Sequence, residues 1–535
     1  MIAAAHPAAA EAGARILEAG GDAIDAAIAA QMVLGLVEPQ SSGIGGGGFL
    51  LYYDAAREVV ETYDGRETAP AAVDERLFVA ADGTPRSWRE VAVGGLPVGV
   101  PGVVRMLERA HRAHGRTPWA RLFEPAAELA ERGFTISPRL AFMIENNPDL
   151  ARFGGARTYF FHRDGRPRRA GETLFNPAYA ETMRAIARGG ADALHAGRIA
   201  AEIVAAVRGD PVNPGFLALT DVAAYRAHVR PPVCLDYRRY RVCSMGPPSS
   251  GGVTMLQILG LLERFDLASL APGSTDAVHL ISEASRLAFA DRNRYLADSD
   301  FVPVPAEGLL EPGYLRRRAL LIDPGLSMGK AGPGEPPGSE DLDRTDAASP
   351  ELASTSHLSV IDSRGNAVSF TTSVERAFGS RLMAAGFILN NQLTDFSFAP
   401  TDAHGPVANR VQPGKRPRSS MTPTLIFDED GTLVATLGSP GGSRIIGFVT
   451  QSVIALLDWG LDAQAALTLP RHVNRNGVTE LEAGTALEEI APALEALGHA
   501  VRIRPLVSGL HAIRRVGGRL EGGADPRREG VALGH

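Results

Sequence analysis

Two cysteines in 535 residues, Cys234 and Cys243, are too few for a disulfide scaffold. Their spacing in "PPVCLDYRRYRVCSM" fits neither a zinc site nor a C-x-x-C redox pair. They could face each other across a short hairpin or stand as buried free thiols, and the sequence favours the thiols. No run of about 18 or more apolar residues occurs, so no membrane-spanning helix is expected. A basic block or Arg-rich arm is also missing: 54 Lys plus Arg against 61 Asp plus Glu give a net charge of −7. That balance argues against a nucleic-acid or anionic-membrane partner. A small anionic substrate stays open, because a pocket can carry a local charge opposite to the global one. The start, "MIAAAHPAAAEAGARILEAGG", has neither the charged n-region nor the apolar h-region of a signal peptide, and reads as an amphipathic Ala-rich helix inside a domain.

Several motifs are missing too. "GIGGGG" (Gly43 to Gly48) satisfies G-x-G-x-x-G, but no strand precedes it and a strand rather than a helix follows, which argues against a dinucleotide site. Thirteen histidines are scattered without H-E-x-x-H or a comparable cluster, so no metal site is supported. Without a G-x-S-x-G elbow, a Ser–His–Asp hydrolase is disfavoured.

What is present is a chain long enough to bury a large core without metal or disulfide staples. Its 45% hydrophobic and 21% charged residues are ordinary for a globular protein. Two helices are expected in the first 40 residues, broken at Gly20-Gly21 with Asp22 capping the second. β-type runs follow from Phe49 to Tyr53 and Val59 to Tyr63, and helical patterns then dominate to about Leu320, with one β-type interruption near residues 230–245. Residues 324–354 are rich in Gly, Pro, Ser and acid without apolar period, and read as a flexible linker. Strong alternation begins at once after it. "TSHLSVIDSRGNAVSFTTSV" reads as a hairpin, "PTLIFDEDGTLVATLGS" repeats the design, and "SRIIGFVTQSVIALLDWG" supplies a long helix.

The join at Ser354-Thr355 is the most informative place. A hydroxyl residue opens a strand directly after a segment that reads as mobile. Cutting the bond would give Thr355 a free α-amine of pKa about 7.7–8.0, able to take the proton of its own hydroxyl near neutrality. An ordinary strand can begin in the same way, and the local pattern alone favours that reading. "LGSPGGSRII" sets Gly441 and Gly442 between a strand and a helix, where backbone N–H groups suit an oxyanion. "KRPRSSMTPTL" holds the adjacent hydroxyls Ser419 and Ser420, and "DGRETAP" offers Arg66, whose planar fork matches a carboxylate.

Together, "TSHLSVID.RGNAVSFT", "ILNNQLTDFS", "KRPRSSMTPT" and "GSPGGSRII" resemble the γ-glutamyltransferase (glutathione hydrolase) family in order and spacing, over nearly the whole chain from "AAAHPAAAEAG" to "GGADPRREG". The resemblance implies an α+β fold, the Ntn-hydrolase sandwich of two stacked antiparallel sheets between helical layers. It would be built jointly by a large part, 1–354, and a small part, 355–535, cut from one precursor. It implies Thr355 as autoprocessing residue and nucleophile, with Ser373 hydrogen-bonded to it where the family usually has Thr. Gly441 and Gly442 would form the oxyanion hole. Arg66, Ser419 and Ser420 would hold the α-carboxylate of a γ-glutamyl group, and Glu375, Gln392 and Asp395 its α-amine. Glu375 stands where many members have Asn. Residues 396–418 are shorter than a full lid and carry no Tyr, so a more open pocket is expected, unless a loop near "SSGIGGGGF" covers it instead. The reaction implied is γ-glutamyl transfer from glutathione or a similar compound to water or an amine, without cofactor. Rivals are an acylase acting on poly-γ-glutamate or glutaryl-cephalosporins, and an inactive relative that only binds γ-glutamyl compounds. Many members carry an export signal upstream of the body at which this chain begins, so a periplasmic or secreted home is expected and a cytoplasmic one stays open.

Overall fold

The two halves of the chain meet in the hairpin that Thr355 opens. In the computed structural model, which describes residues 1–340, 342, 344–346, 354–402 and 405–534, strands Ser356–Ile361 and Ala367–Ser373 pair antiparallel. Asp362 fixes the turn between them by accepting from the N–H groups of Arg364 and Asn366 at 2.8 and 3.0 Å. Gly365 supplies the positive φ of 87° that the turn requires. Side chains alternate along both strands. Leu358, Val360, Val368 and Phe370 join one apolar core, leaving His357, Ser359, Ser369 and Thr371 on the other face.

Around this hairpin an antiparallel sheet of seven strands runs in the order 531–533, 2–4, 356–361, 367–373, 47–54, 59–64, 228–230. A second antiparallel sheet of six runs 519–524, 511–516, 433–438, 424–427, 240–244, 233–237. Its central strands lie on the inner face of the first. Ser369 Oγ donates to the Leu437 carbonyl at 2.9 Å, and Thr436 Oγ1 to the Val368 carbonyl at 3.0 Å. Helices Pro7–Glu18, Ala23–Val37 and Val103–His114 pack with the outer face of the first sheet. Gly251–Leu262, Thr275–Tyr295 and Ile445–Leu457 pack with the second. The chain is therefore α+β, with two stacked antiparallel sheets between helical layers, as expected. Asp22 caps Ala23–Val37 by accepting from Ile24 N–H, and Asp25 returns the bond to Asp22 N–H.

Three expectations need correction. The first helix starts only at Pro7. Residues Ile2–Ala4 are a buried strand between 356–361 and 531–533, because His6 and Pro7 start the helix there and strand partners lie on both sides. The free thiols are overturned as well: Cys234 and Cys243 form a disulfide. The two-residue turn Arg238-Arg239 sets Tyr237 opposite Tyr240, and that register places residue 234 opposite 243, Cα atoms 4.1 Å apart.

The third correction concerns 324–354, which carries no helix or long strand among its described residues yet is docked. Ser327 N–H donates to the Leu497 carbonyl, Ala331 N–H to Asn476 Oδ1 and Gly334 N–H to Asp291 Oδ1, each at 2.7 Å. Thr345 forms a bridge with Val407. The described residues of the joint expected to be flexible are thus docked as far as Asp346, while 341, 343 and 347–353 lie outside them.

Candidate active site

Thr355 precedes its strand by one residue. The last register pair is Ser356 opposite Thr372, and the next places Thr355 opposite Ser373, on the face turned to the second sheet. Their hydroxyls stand 3.3 Å apart. Both point at the carbonyl just upstream: Ser373 Oγ donates to Ser354 O at 2.9 Å, and Thr355 Oγ1 donates to the same oxygen. Arg528 Nη1 fixes the Thr355 carbonyl at 2.8 Å. The Ser354 and Thr355 carbonyls are therefore both held, with the Thr355 hydroxyl against the first.

Facing Thr355 is a small cavity lined by Arg66, Ser373, Glu375, Gln392, Asp395, Ser419, Ser420, Met421, Gly442 and Ile445. Nine of the ten residues singled out in the sequence thus meet at one place, and Gly441 adjoins through Gly442. Arg66 follows the strand 59–64 and is wholly buried. Its Nε donates to the Pro417 carbonyl at 3.0 Å, and its Nη2 to Asp395 Oδ2 at 2.6 Å and the Arg418 carbonyl at 3.0 Å. Nη1 has no hydrogen-bond partner and lies 3.7 Å from Glu67. Burial pushes the Glu67 carboxyl up to about 8 although Arg66 opposes this, so near neutrality Glu67 is a neutral neighbour. Gln392 Nε2 donates to Asp395 Oδ2 at 2.8 Å. Glu375 holds a φ of 80° and donates its N–H to Ser373 Oγ at 2.8 Å. An uncommon backbone conformation for a non-glycine residue is thus locked to the hydroxyl beside Thr355.

Gly441 and Gly442 take φ values of 142° and 60° at the turn into the helix Ile445–Leu457. A Cβ at 441 would meet the Phe448 ring at 2.9 Å, so glycine is required there by space as well as by φ. The rejected "GIGGGG" motif has a packing role instead. A Cβ on Gly46 would meet the Ser373 carbonyl at 2.1 Å, and one on Gly45 the Ile388 carbonyl at 2.0 Å. The glycines therefore let two backbones approach behind Ser373, and none of Ser41–Phe49 lines the cavity. Sequence reasoning missed Met421, Ile445 and Arg528. The first two adjoin quoted motifs, and Arg528 lies in the segment "GGADPRREG".

Among the described residues, one group carries metal-ligand chemistry: His279 and Glu283, one turn apart on the helix Thr275–Tyr295, meet His499 from far along the chain. Hydrogen bonding accounts for its nitrogens. His279 Nε2 donates to the Asp323 carbonyl at 2.8 Å, so its Nδ1 accepts from His499 Nε2 at 2.7 Å. His499 Nδ1 then accepts from Arg286 Nη2 at 3.2 Å. Both rings are neutral and both lone pairs are taken.

Residues 9–535 match the family described as gamma-glutamyltranspeptidase. The chain is 36% identical to the glutathione hydrolase proenzyme of Bacillus subtilis (strain 168), over 100% of this chain and 91% of that protein. It is also 36% identical to the acylase ACY 1 proenzyme of Pseudomonas sp. (strain SE83), over 100% and 93%. The crystal structure of a cephalosporin acylase from Bacillus halodurans superposes with a TM-score of 0.85 at 28% identity, covering 100% of this chain and 96% of that one. A whole-chain match, together with a site assembled from that family's motifs, makes this chain a member of the gamma-glutamyltranspeptidase family of enzymes.

Proposed function

We propose that the protein cuts itself between Ser354 and Thr355 and then transfers γ-glutamyl groups from glutathione and related donors to water or an amine, with Thr355 as nucleophile. The observation that carries this reading is the Ser354 carbonyl, hydrogen-bonded by Ser373 at 2.9 Å and also by Thr355 Oγ1. Thr355 Oγ1 adds to that carbonyl carbon, and the C–N bond breaks with nitrogen leaving as the Thr355 α-amine. Water hydrolyses the resulting ester, which leaves Ser354 as a carboxylate. The freed amine, of pKa about 7.7–8.0, then takes the hydroxyl proton as Thr355 attacks the donor's γ-carbonyl, and passes it to the leaving nitrogen as the donor's C–N bond breaks. Water or an amine attacks the resulting ester and gives back the Thr355 hydroxyl. Gly441 and Gly442 receive the oxyanion. Arg66, Ser419 and Ser420 hold the α-carboxylate, and Glu375, Gln392 and Asp395 the α-ammonium. These steps call on no cofactor.

The acylase relatives supply the rival. A glutaryl chain keeps the terminal carboxylate and lacks the ammonium assigned to Glu375, Gln392 and Asp395. The γ-glutamyl donor is therefore the better fit. One experiment covers both points. Purified protein should resolve into two bands on a denaturing gel, Thr355→Ala should stay full-length, and the processed enzyme should hydrolyse a γ-glutamyl anilide faster than a glutaryl anilide. A wild-type chain that stays whole, or a preference for glutaryl, removes the reading.

No helix among the described residues is long and apolar enough to cross a membrane. The Cys234–Cys243 disulfide fits an oxidising compartment, which supports a periplasmic or secreted home. Two free thiols in unreduced protein isolated from its host would argue for the cytoplasm.

A further inference from the structure

The hydroxyls assigned to the substrate carboxylate do not stand alone. Arg292 sits in the last turn of the helix Thr275–Tyr295 and is almost fully buried. Its Nη2 donates to Ser420 Oγ at 2.7 Å, and its Nε to Ser250 Oγ at 2.9 Å. Ser250 in turn grips the other serine's backbone: its N–H and Oγ both donate to the Ser419 carbonyl, at 2.7 and 2.6 Å. The helix end is tied to the same loop from the opposite direction, because Arg418 Nη1 donates to the Arg292 carbonyl at 3.2 Å. One guanidinium thus fixes the Ser420 side chain directly and Ser419 through Ser250, while itself lying outside the lining of the cavity.

Hydroxyl chemistry gives this contact a consequence. A serine oxygen has one hydrogen to give and two lone pairs. An oxygen that accepts from a cation must turn its own hydrogen elsewhere, and accepting polarises that O–H into a stronger donor. Ser420 faces the cavity that Arg66 and Thr355 also line.

We propose that Arg292 is a positioning residue for the carboxylate of the acyl donor. It holds the Ser420 side chain, and through Ser250 the Ser419 backbone, in place at the cavity wall, complementing the direct contact from Arg66. This rests on the reading above that Arg66, Ser419 and Ser420 bind the α-carboxylate. It adds a specificity element, since the relay acts only on a donor that carries an anion at that place.

The test uses processed enzyme with Arg292→Gln, Arg292→Lys, Ser420→Ala and the double variant Arg292→Gln/Ser420→Ala, each checked for processing on a gel. A γ-glutamyl anilide is the substrate. Arg292→Gln should raise KM about tenfold with kcat within about twofold, in keeping with loss of a charge-assisted hydrogen bond. Arg292→Lys should fall between Gln and the native enzyme, and the double variant should be no worse than Ser420→Ala alone. An unchanged KM in Arg292→Gln beside a raised KM in Ser420→Ala overturns the proposal. So do effects that multiply in the double variant, or a joint loss of processing, kcat and KM in both Arg292 variants, which would mark a structural role. If Ser420→Ala and Arg66→Lys both leave KM unchanged, the carboxylate reading itself has failed.

Discussion

Arg66 reaches the cavity with part of its donor capacity already committed. Two nitrogens hold Asp395 and the backbone of the Ser419–Ser420 loop, and Nη1 is left over in a buried place. An unpaired buried donor on a cation is costly unless a ligand satisfies it, which is the physical argument for an anionic head group here. Lys at this position could supply charge but not three separately aimed donors. Arg66→Lys is therefore expected to raise KM for a γ-glutamyl anilide, by roughly 1.5–3 kcal/mol if the charged bonds are lost outright. Steady-state kinetics with an unaltered KM would take Arg66 out of the site. The sequence exposed the fork in "DGRETAP" but not its partners, because Asp395 and Pro417 lie more than 300 positions away. Arg292 was invisible for the same reason: its bond to Ser420 spans 128 positions, and inside a helix it reads as any surface arginine.

At the scale of elements, legibility follows how local the cause is. The hairpin from Thr355 to Ser373 could be read because alternation and the Asp-Ser-Arg-Gly-Asn turn sit in one short stretch. The strand Ile2–Ala4 could not, since its partners are residues 358–360 and 531–533 and its alanines favour a helix. The Cys234–Cys243 bridge needed the hairpin register, which two cysteines alone do not give. The segment after Asp395 is legible only in part. It forms a short hairpin, Thr401–Asp402 with Gly405–Pro406, and it is tied to the end of the docked linker, where Thr345 bridges Val407 and Thr345 Oγ1 donates to Asp402. The residues near "SSGIGGGGF" do not line the cavity, so that loop is no substitute lid in this structure. Processed enzyme is accordingly expected to turn over a γ-linked glutamate oligomer at a kcat/KM comparable to that for glutathione. No turnover of the oligomer beside good turnover of glutathione would show that the site closes by another route.

Over the whole molecule, the sheet-on-sheet seam beneath Thr355 is polar, and that choice sets how the fold responds to acid. His357, two residues beyond Thr355 on the same face, bonds Thr371 Oγ1 at 2.9 Å and Ser359 Oγ at 3.1 Å. Complete burial holds its ring well below the ordinary histidine range. His511 on the second sheet and His472 are pushed down to about 3, and His195 to about 4, burial being the main cause in each. In the unfolded chain all four would titrate near 6.5, so between that value and about 3 to 4 the unfolded state binds more protons than the native one. Stability should therefore rise with pH through this window and be lost as pH falls below about 6.5. Glu67 acts in the opposite sense: its raised value stabilises the fold at low pH, an advantage lost as pH rises through about 8. Burial also raises the carboxyls of Asp291, Asp298 and Asp362, so these act with Glu67 and against the more numerous buried histidines. Each is worth about 1–2 kcal/mol between pH 6.5 and 5, and the urea midpoint should drop clearly over that interval. Replacing His511, whose two ring nitrogens have no hydrogen-bond partner, by Gln should flatten the dependence by one histidine's share. A midpoint that holds steady from pH 7 to 5 would mean that these rings accept protons in the folded state, and that the seam admits water.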